Sequence, residues 1–116
     1  MGIRNKNPNK GKWIIPGGKV NFGESLTNTL IREISEESGI TIQIGALLGV
    51  YELVNPPKEH RIIVVYNAEY RGGNVVSGDD LVSARFLPKK EIQDLYGRNL
   101  ISDVVVKILI DAKIIR

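Results

Sequence analysis

The chain contains no cysteine, one histidine and one tryptophan, and aromatic residues make up 6% of its 116 positions. Without a thiol there is no disulfide framework, no thiolate metal centre and no cysteine nucleophile. The histidine, His60, falls at the end of a candidate strand, where an isolated imidazole is more often a satisfied surface group than a catalyst. No apolar run approaches the ~18 residues of a membrane helix, and no secretory signal is evident, so a membrane is not indicated. Repeats and low-complexity tracts are also missing. Sixteen basic against thirteen acidic residues leave a net charge of +3, too little to argue for a nucleic-acid partner. The remaining class is an ordinary soluble domain, 42% hydrophobic and 25% charged. Its length allows one core and not two, so residues 1–116 are expected to form a single domain, with the cytoplasm as the expected location.

Charge is unevenly placed. Arg4, Lys6, Lys10, Lys12 and Lys19 precede a segment rich in glutamate. A basic rim beside carboxylates suits a polyphosphate ligand with a divalent metal. A disordered basic N-terminal segment accounts for the same composition equally well.

The order of elements follows from periodicity and punctuation. Residues 5–12 are a polar loop, and Trp13-Ile14-Ile15 is a short strand entering the tight turn Pro16-Gly17-Gly18. Ser25 is the expected N-cap of a helix ending near Ser38 and stopped by Gly39. Leu26, Leu30, Ile31 and Ile34 recur at helical spacing and are expected to face the core. Residues 41–54 and 60–70 read as strands, with bends or a bulge at Gly45 and Gly49 and burial of Ile62–Tyr66 on both faces. Arg71-Gly72-Gly73-Asn74 reads as a hairpin-type turn, Val75-Val76 as a short edge strand and residues 83–87 as another strand. Lys89–Tyr96 suggests a short helix. Residues 100–113 carry an amphipathic helical pattern, with a strand as the alternative. Together these give an α/β domain with a mixed sheet between helices.

The stretch Gly18–Ile40, GKVNFGESLTNTLIREISEESGI, concentrates the chemistry. Glu33, Glu36 and Glu37 lie within roughly 100° of one another on a helix. Like charges at these spacings cost a few tenths of a kcal/mol each when nothing neutralises them. In most helices such an arc is simply a solvated acidic face.

Here the pattern is more specific. Gly18, Glu24, Arg32, Glu33, Glu36, Glu37 and Gly39, with aliphatic Ile34 and Ile40, match the Nudix box at every defining position. By chance this would arise on the order of once in ten million short chains or less often. The preceding Trp13–Lys19 also resembles the family's lead-in. The resemblance implies a Nudix-type α/β/α sandwich with a mixed sheet and a Mg2+-dependent hydrolase, with Mn2+ as a possible substitute. Magnesium takes hard oxygen ligands and generates hydroxide near neutral pH, the two needs of phosphoanhydride hydrolysis. Glu36 and Glu37 are then principal ligands, Glu33 is a ligand or a base near the attacking water, and a Gly17 or Gly18 carbonyl can add a ligand. Glu24 and Arg32 read as structural, holding the glutamates in register.

Substrate contacts are less specified. Lys19 and Arg4 are candidates for phosphate contact, although an exposed loop lysine explains Lys19 nearly as well. Tyr51 and Trp13 can stack on a nucleobase, with packing favoured for Trp13. Asp79-Asp80, and less so Glu69, can supply a further acidic residue, while turn chemistry explains the Asp pair equally well. Pro56 stands 16 residues after Ile40, as in members that hydrolyse ADP-ribose. Residues 78–88 also look like the ADP-ribose and NADH pyrophosphatase branch. The favoured substrate is therefore ADP-ribose or a similar nucleoside diphosphate conjugate. The alternatives are mutator-type hydrolysis of oxidised nucleoside triphosphates, or of dinucleoside polyphosphates, and a non-catalytic nucleotide-binding regulator. Related chains carry a further apolar strand ahead of Met1-Gly2-Ile3-Arg4. The expectation is that the natural start lies upstream or that a partner chain covers the gap, with a homodimer among the possible assemblies.

Overall fold

The β-branched segment near the C-terminus settles as a helix because one side of it is buried. In the computed structural model, which describes residues 1–4, 10–55, 57, 59–76 and 81–115, this helix is α3, Asp103–Asp111. Val105, Ile108 and Leu109 are 3–4% exposed. A three- and four-residue spacing places them on one stripe, and burial outweighs the weak preference of Val and Ile for strands. Ahead of α3 lies α2, Lys89–Gly97, whose Ile92 and Leu95 turn inward. Ile92, Leu95, Val105 and Leu109 close around Trp13, Ile101 and Ile115 as a core cluster.

Three strands cover that core. β1 (Gly2–Arg4) pairs antiparallel with β2 (Trp13–Ile14) on one side and with β5 (Leu81–Ala84) on the other. A parallel bridge joins Trp13 to Ile101, with the Trp13 amide donating to Leu100 O at 2.8 Å and Ser102 N donating to Trp13 O at 3.1 Å. The Arg85 guanidinium lies 5.4 Å from the Trp13 ring centroid. Trp13 thus packs and is only 8% exposed.

The other half holds α1 (Leu26–Ser38), β3 (Ile40–Asn55) and β4 (Glu59–Gly73). α1 starts where Ser25, in extended conformation, accepts a hydrogen bond from Asn28 N, and it ends at Gly39. Gly39 is left-handed at φ 74°, its N–H donates to Ser35 O at 2.9 Å, and a Cβ there would meet Asn74 O at 2.7 Å. Only glycine meets both conditions without strain. β3 and β4 form a long antiparallel ribbon, a two-stranded sheet separate from the first. The helices against these sheets give the α/β architecture implied by the element order.

Several local expectations change. Arg71-Gly72-Gly73 is not a turn, because β4 continues through it and pairs Gly73 with Ile40. Val75-Val76 is not a strand; Val76 N donates to Ser38 O at 2.9 Å, tying the chain to the end of α1 instead. The last strand ends at Ala84 rather than at residue 87. Of the α1 stripe only Ile34 is buried, while Leu26 and Ile31 are exposed. Ile62–Tyr66 is not buried on both faces: Val65 is buried, but Ile62 is 72% exposed.

Candidate active site

The glycine loop and the first turns of α1 are joined by one arginine. The Arg32 Nε donates to Glu24 Oε2 at 2.8 Å and its Nη2 donates to Glu24 Oε1 at 3.0 Å. This fork fixes both planes at once, which a lysine cannot do. The Nη1 atom continues to Glu33 Oε1 at 2.8 Å and to Glu36 Oε2 at 3.2 Å, and Nη2 reaches the Lys19 carbonyl at 3.4 Å. One guanidinium therefore links the loop, the residue before the N-cap and two glutamates of the acidic arc.

Glu24 is held from further directions. Thr29, 2% exposed, donates its hydroxyl to Glu24 Oε1 at 2.9 Å and shares it with Ser25 O. The Asn21 amide donates to the same carboxylate at 3.3 Å. The Arg32 hydrogen bonds dominate and, with Thr29 and Asn21 against partial desolvation, lower the Glu24 pKa from 4.5 to about 2. Arg32 is shifted in the opposite direction, chiefly by Glu24 and then Glu33, and remains charged. Thr29 escaped sequence reasoning. Its signal was available, since a threonine four residues after the N-cap and three before Arg32 shares their side of the helix.

Gly18 has a second constraint. A Cβ at this position would fall 2.2 Å from Cγ and Cδ of Glu33, so the carboxylate arm lies directly on the glycine backbone. Gly17 has open space at the same position. The loop thus presents two peptide groups without side chains, one covered by Glu33 and one clear.

The remaining candidates are placed elsewhere or differently. Lys19 is exposed, and its carbonyl is the group bound to Arg32. Arg4 is on β1, where its backbone bonds to Lys12 O and Gly11 N. Tyr51 donates its hydroxyl to Asp111 Oδ2 at 2.7 Å, joining β3 to α3; that bond raises its pKa. His60 pairs with Glu52 at 2.5 Å on the exposed surface of the ribbon. Glu69 pairs with Arg71 at 3.0 Å. Pro56, Asp79 and Asp80 lie outside the described residues.

The donors at hand are hard carboxylate oxygens with loop carbonyls beside them, the type that a divalent cation such as magnesium takes. Among the described residues no three acidic or imidazole side chains are grouped so as to hold a metal ion, and Glu33 and Glu36 are turned onto Arg32. The donor set fits a hard cation, and holding one requires these carboxylates to exchange a guanidinium contact for the metal.

A glycine loop leading into an acidic helix, set within an α/β domain, defines a class, and comparison with known proteins names it. The NUDIX domain model matches residues 2–106, and the chain belongs to that family. The family generally works with divalent metal ions. An ADP-ribose pyrophosphatase of Methanocaldococcus jannaschii is 37% identical over 93 residues, covering 79% of this chain and 55% of that protein. Human diphosphoinositol polyphosphate phosphohydrolase 3-alpha is 37% identical over 54 residues, covering 47% of this chain and 33% of the relative. The chain thus spans about half or less of these relatives' lengths. Among solved structures, a MutT protein from Methanosarcina mazei Go1 superposes with a TM-score of 0.75 at 26% identity, covering 97% of this chain and 78% of that one. No helix among the described residues is long and apolar enough to cross a membrane.

Proposed function

We propose that the chain is a Mg2+-dependent pyrophosphohydrolase acting on a nucleoside diphosphate linked to another group, with ADP-ribose or a close analogue as substrate. The observation that carries this reading is the complete acidic set of α1, linked to the Arg32–Glu24 fork. The similarity to the M. jannaschii ADP-ribose pyrophosphatase supports the substrate class.

In this reading Glu33, Glu36 and Glu37 hold the metal with help from the Gly17 and Gly18 carbonyls. When bound, Mg2+, or Mn2+ in its place, neutralises phosphate charge and provides hydroxide near neutral pH. One of the three glutamates takes the proton of the attacking water. The water oxygen bonds to one phosphorus, the bridging P–O bond breaks, and two phosphate-ended products leave. Arg32 and Glu24 position the carboxylates without touching substrate. Lys19 and Arg4 meet the phosphates; Tyr51, Pro56 and Asp80 contribute to the substrate side. The enzyme works in the cytoplasm on a nucleotide-derived small molecule and needs neither membrane nor nucleic acid.

A second reading is mutator-type hydrolysis of oxidised nucleoside triphosphates, in keeping with the name of the M. mazei MutT protein. A Mg2+ hydrolysis screen over ADP-ribose, dinucleoside polyphosphates and oxidised triphosphates separates the two. Conversion of ADP-ribose to AMP and ribose phosphate supports the first, and preference for triphosphates supports the second. Binding without turnover across the panel would overturn both in favour of a regulatory nucleotide-binding domain.

A further inference from the structure

The stripe of α1 that carries the acidic arc begins with a residue that is not acidic. Thr29, Arg32, Glu33 and Glu36 stand at i, i+3, i+4 and i+7, on one face of the helix. Thr29 is the buried end of that stripe at 2% exposure, against 60% for the Glu36 side chain. Glu24, which precedes the N-cap, has two oxygens that are loaded unequally. Among the described residues Oε2 takes only the Arg32 Nε, at 2.8 Å. Oε1 takes the Arg32 Nη2 at 3.0 Å, the Thr29 hydroxyl at 2.9 Å and the Asn21 amide at 3.3 Å. The Arg32 fork fixes two planar groups relative to each other, but both sit on long side chains and can swing as a unit. Thr29 is a short tether, stiff at its single χ1, from that unit to the helix backbone.

The hydroxyl has one proton and two acceptors, Glu24 Oε1 and Ser25 O, both at 2.9 Å. Ser25 O already accepts the Thr29 amide at 2.9 Å, and the carboxylate is charged, so the proton goes chiefly to Glu24. A threonine serving the helix alone needs only the Ser25 bond. We propose that Thr29 is a positioning residue for hydrolysis: its buried hydroxyl fixes the Glu24 carboxylate and, through Arg32, the orientation of Glu33 and Glu36. This rests on the reading of the acidic arc as the metal-holding site. With Thr29 shielded from solvent, water does not replace a lost donor. Without the hydroxyl the carboxylate turns from a methyl group and carries Arg32 with it. Substrate contacts are untouched, so the loss falls on kcat.

Thr29→Val keeps the shape and removes the donor, whereas Thr29→Ser keeps the donor and removes a methyl group. Each is assayed with Mg2+ on whichever compound of the hydrolysis screen the unsubstituted protein turns over fastest. Thr29→Val should lower kcat about 5- to 20-fold with KM within about twofold, and Thr29→Ser should regain most of that turnover. In a Glu24→Gln background Thr29→Val should change kcat less than about twofold, because the hydroxyl acts through that carboxylate. Thr29→Val should unfold at a Tm no lower than Thr29→Ser, since it buries the larger apolar group, which separates positioning from stability. Thr29→Ala, a better helix former, repeats the donor's removal should valine crowd the loop and unfold it. NMR of the Arg32 Nε–H reads the geometry with neither metal nor substrate, and its signal should move in Thr29→Val and stay near the parent in Thr29→Ser. An unchanged kcat in Thr29→Val, an equal loss in Thr29→Ser, or full additivity with Glu24→Gln overturns the proposal. If nothing in the screen is hydrolysed, the reading of the site fails instead. The Arg32 signal then decides: movement in Thr29→Val alone upholds the hydroxyl's hold on the pair, and any other pattern overturns it.

Discussion

Around Trp13, the half built from β1, β2, β5, α2 and α3 buries Ile92, Leu95, Ile101, Val105, Leu109 and Ile115 at 7% exposure or less. The half built from α1, β3 and β4 leaves Leu47, Val50, Val54 and Ile62 more than half exposed, and its order rests heavily on polar contacts among Glu24, Thr29, Arg32 and Glu33. Apolar burial is non-directional and tolerates small shifts, whereas charge-assisted hydrogen bonds fix angles. The division suits a protein whose stability and chemistry have different tolerances. One half holds the chain together, and the other sets carboxylate positions.

The largest effect should come from the acidic arc. Glu37→Gln is expected to lower turnover of ADP-ribose about 100- to 10,000-fold while thermal unfolding stays near that of the unsubstituted protein. Near-normal turnover would show that the metal site lies elsewhere. Next comes the apolar half, where Leu109→Ala should cost ~2–5 kcal/mol in denaturant unfolding because it opens a cavity in the closed core. A loss below ~1 kcal/mol would mean that the two halves do not differ as described.

Glu24→Gln should have an intermediate effect, with turnover falling about 10- to 100-fold through misplaced carboxylates, a kcat effect with KM little changed. The same variant has a pH signature. Because the folded pKa is depressed, the Glu24 contribution to stability is complete above pH 4.5 and is lost as pH falls towards about 2. A plot of Tm against pH should therefore be shallower over that range in Glu24→Gln, and an unchanged slope would remove Glu24 as the source. The smallest effect belongs to the exposed ribbon, where Val54→Thr should stay within ~0.5 kcal/mol of the parent in unfolding.

How much of this could be read from the chain alone differs by element. α1 was legible at both ends because Ser25 and Gly39 are local signals, each acting through backbone geometry within a few residues. The acidic arc was legible for the same reason, since helical spacing fixes it. The end of β4 was not. Gly72-Gly73 carries turn composition, but pairing with Thr41 and Ile40 after the helix, a long-range contact, keeps it in the ladder. The exposure of Leu26 and Ile31 was equally hidden, because spacing shows which residues share a face and not what covers it. Thr29 was visible as a residue, but its role depends on where the Glu24 carboxylate turns. Substrate contacts rested on Lys19, Arg4, Tyr51, Pro56 and Asp80, whose chemistry local periodicity does not specify.

Arg32 has a consequence for how the site fills. Its guanidinium already lies against Glu33 and Glu36, so the acidic arc carries a resident counter-ion. If the proposed metal site is right, uptake would be an exchange, one positive group yielding to another, rather than the relief of bare repulsion. Chelation should leave α1 folded, and loading with Mg2+ should change circular dichroism little while altering the local environment of the glycine loop.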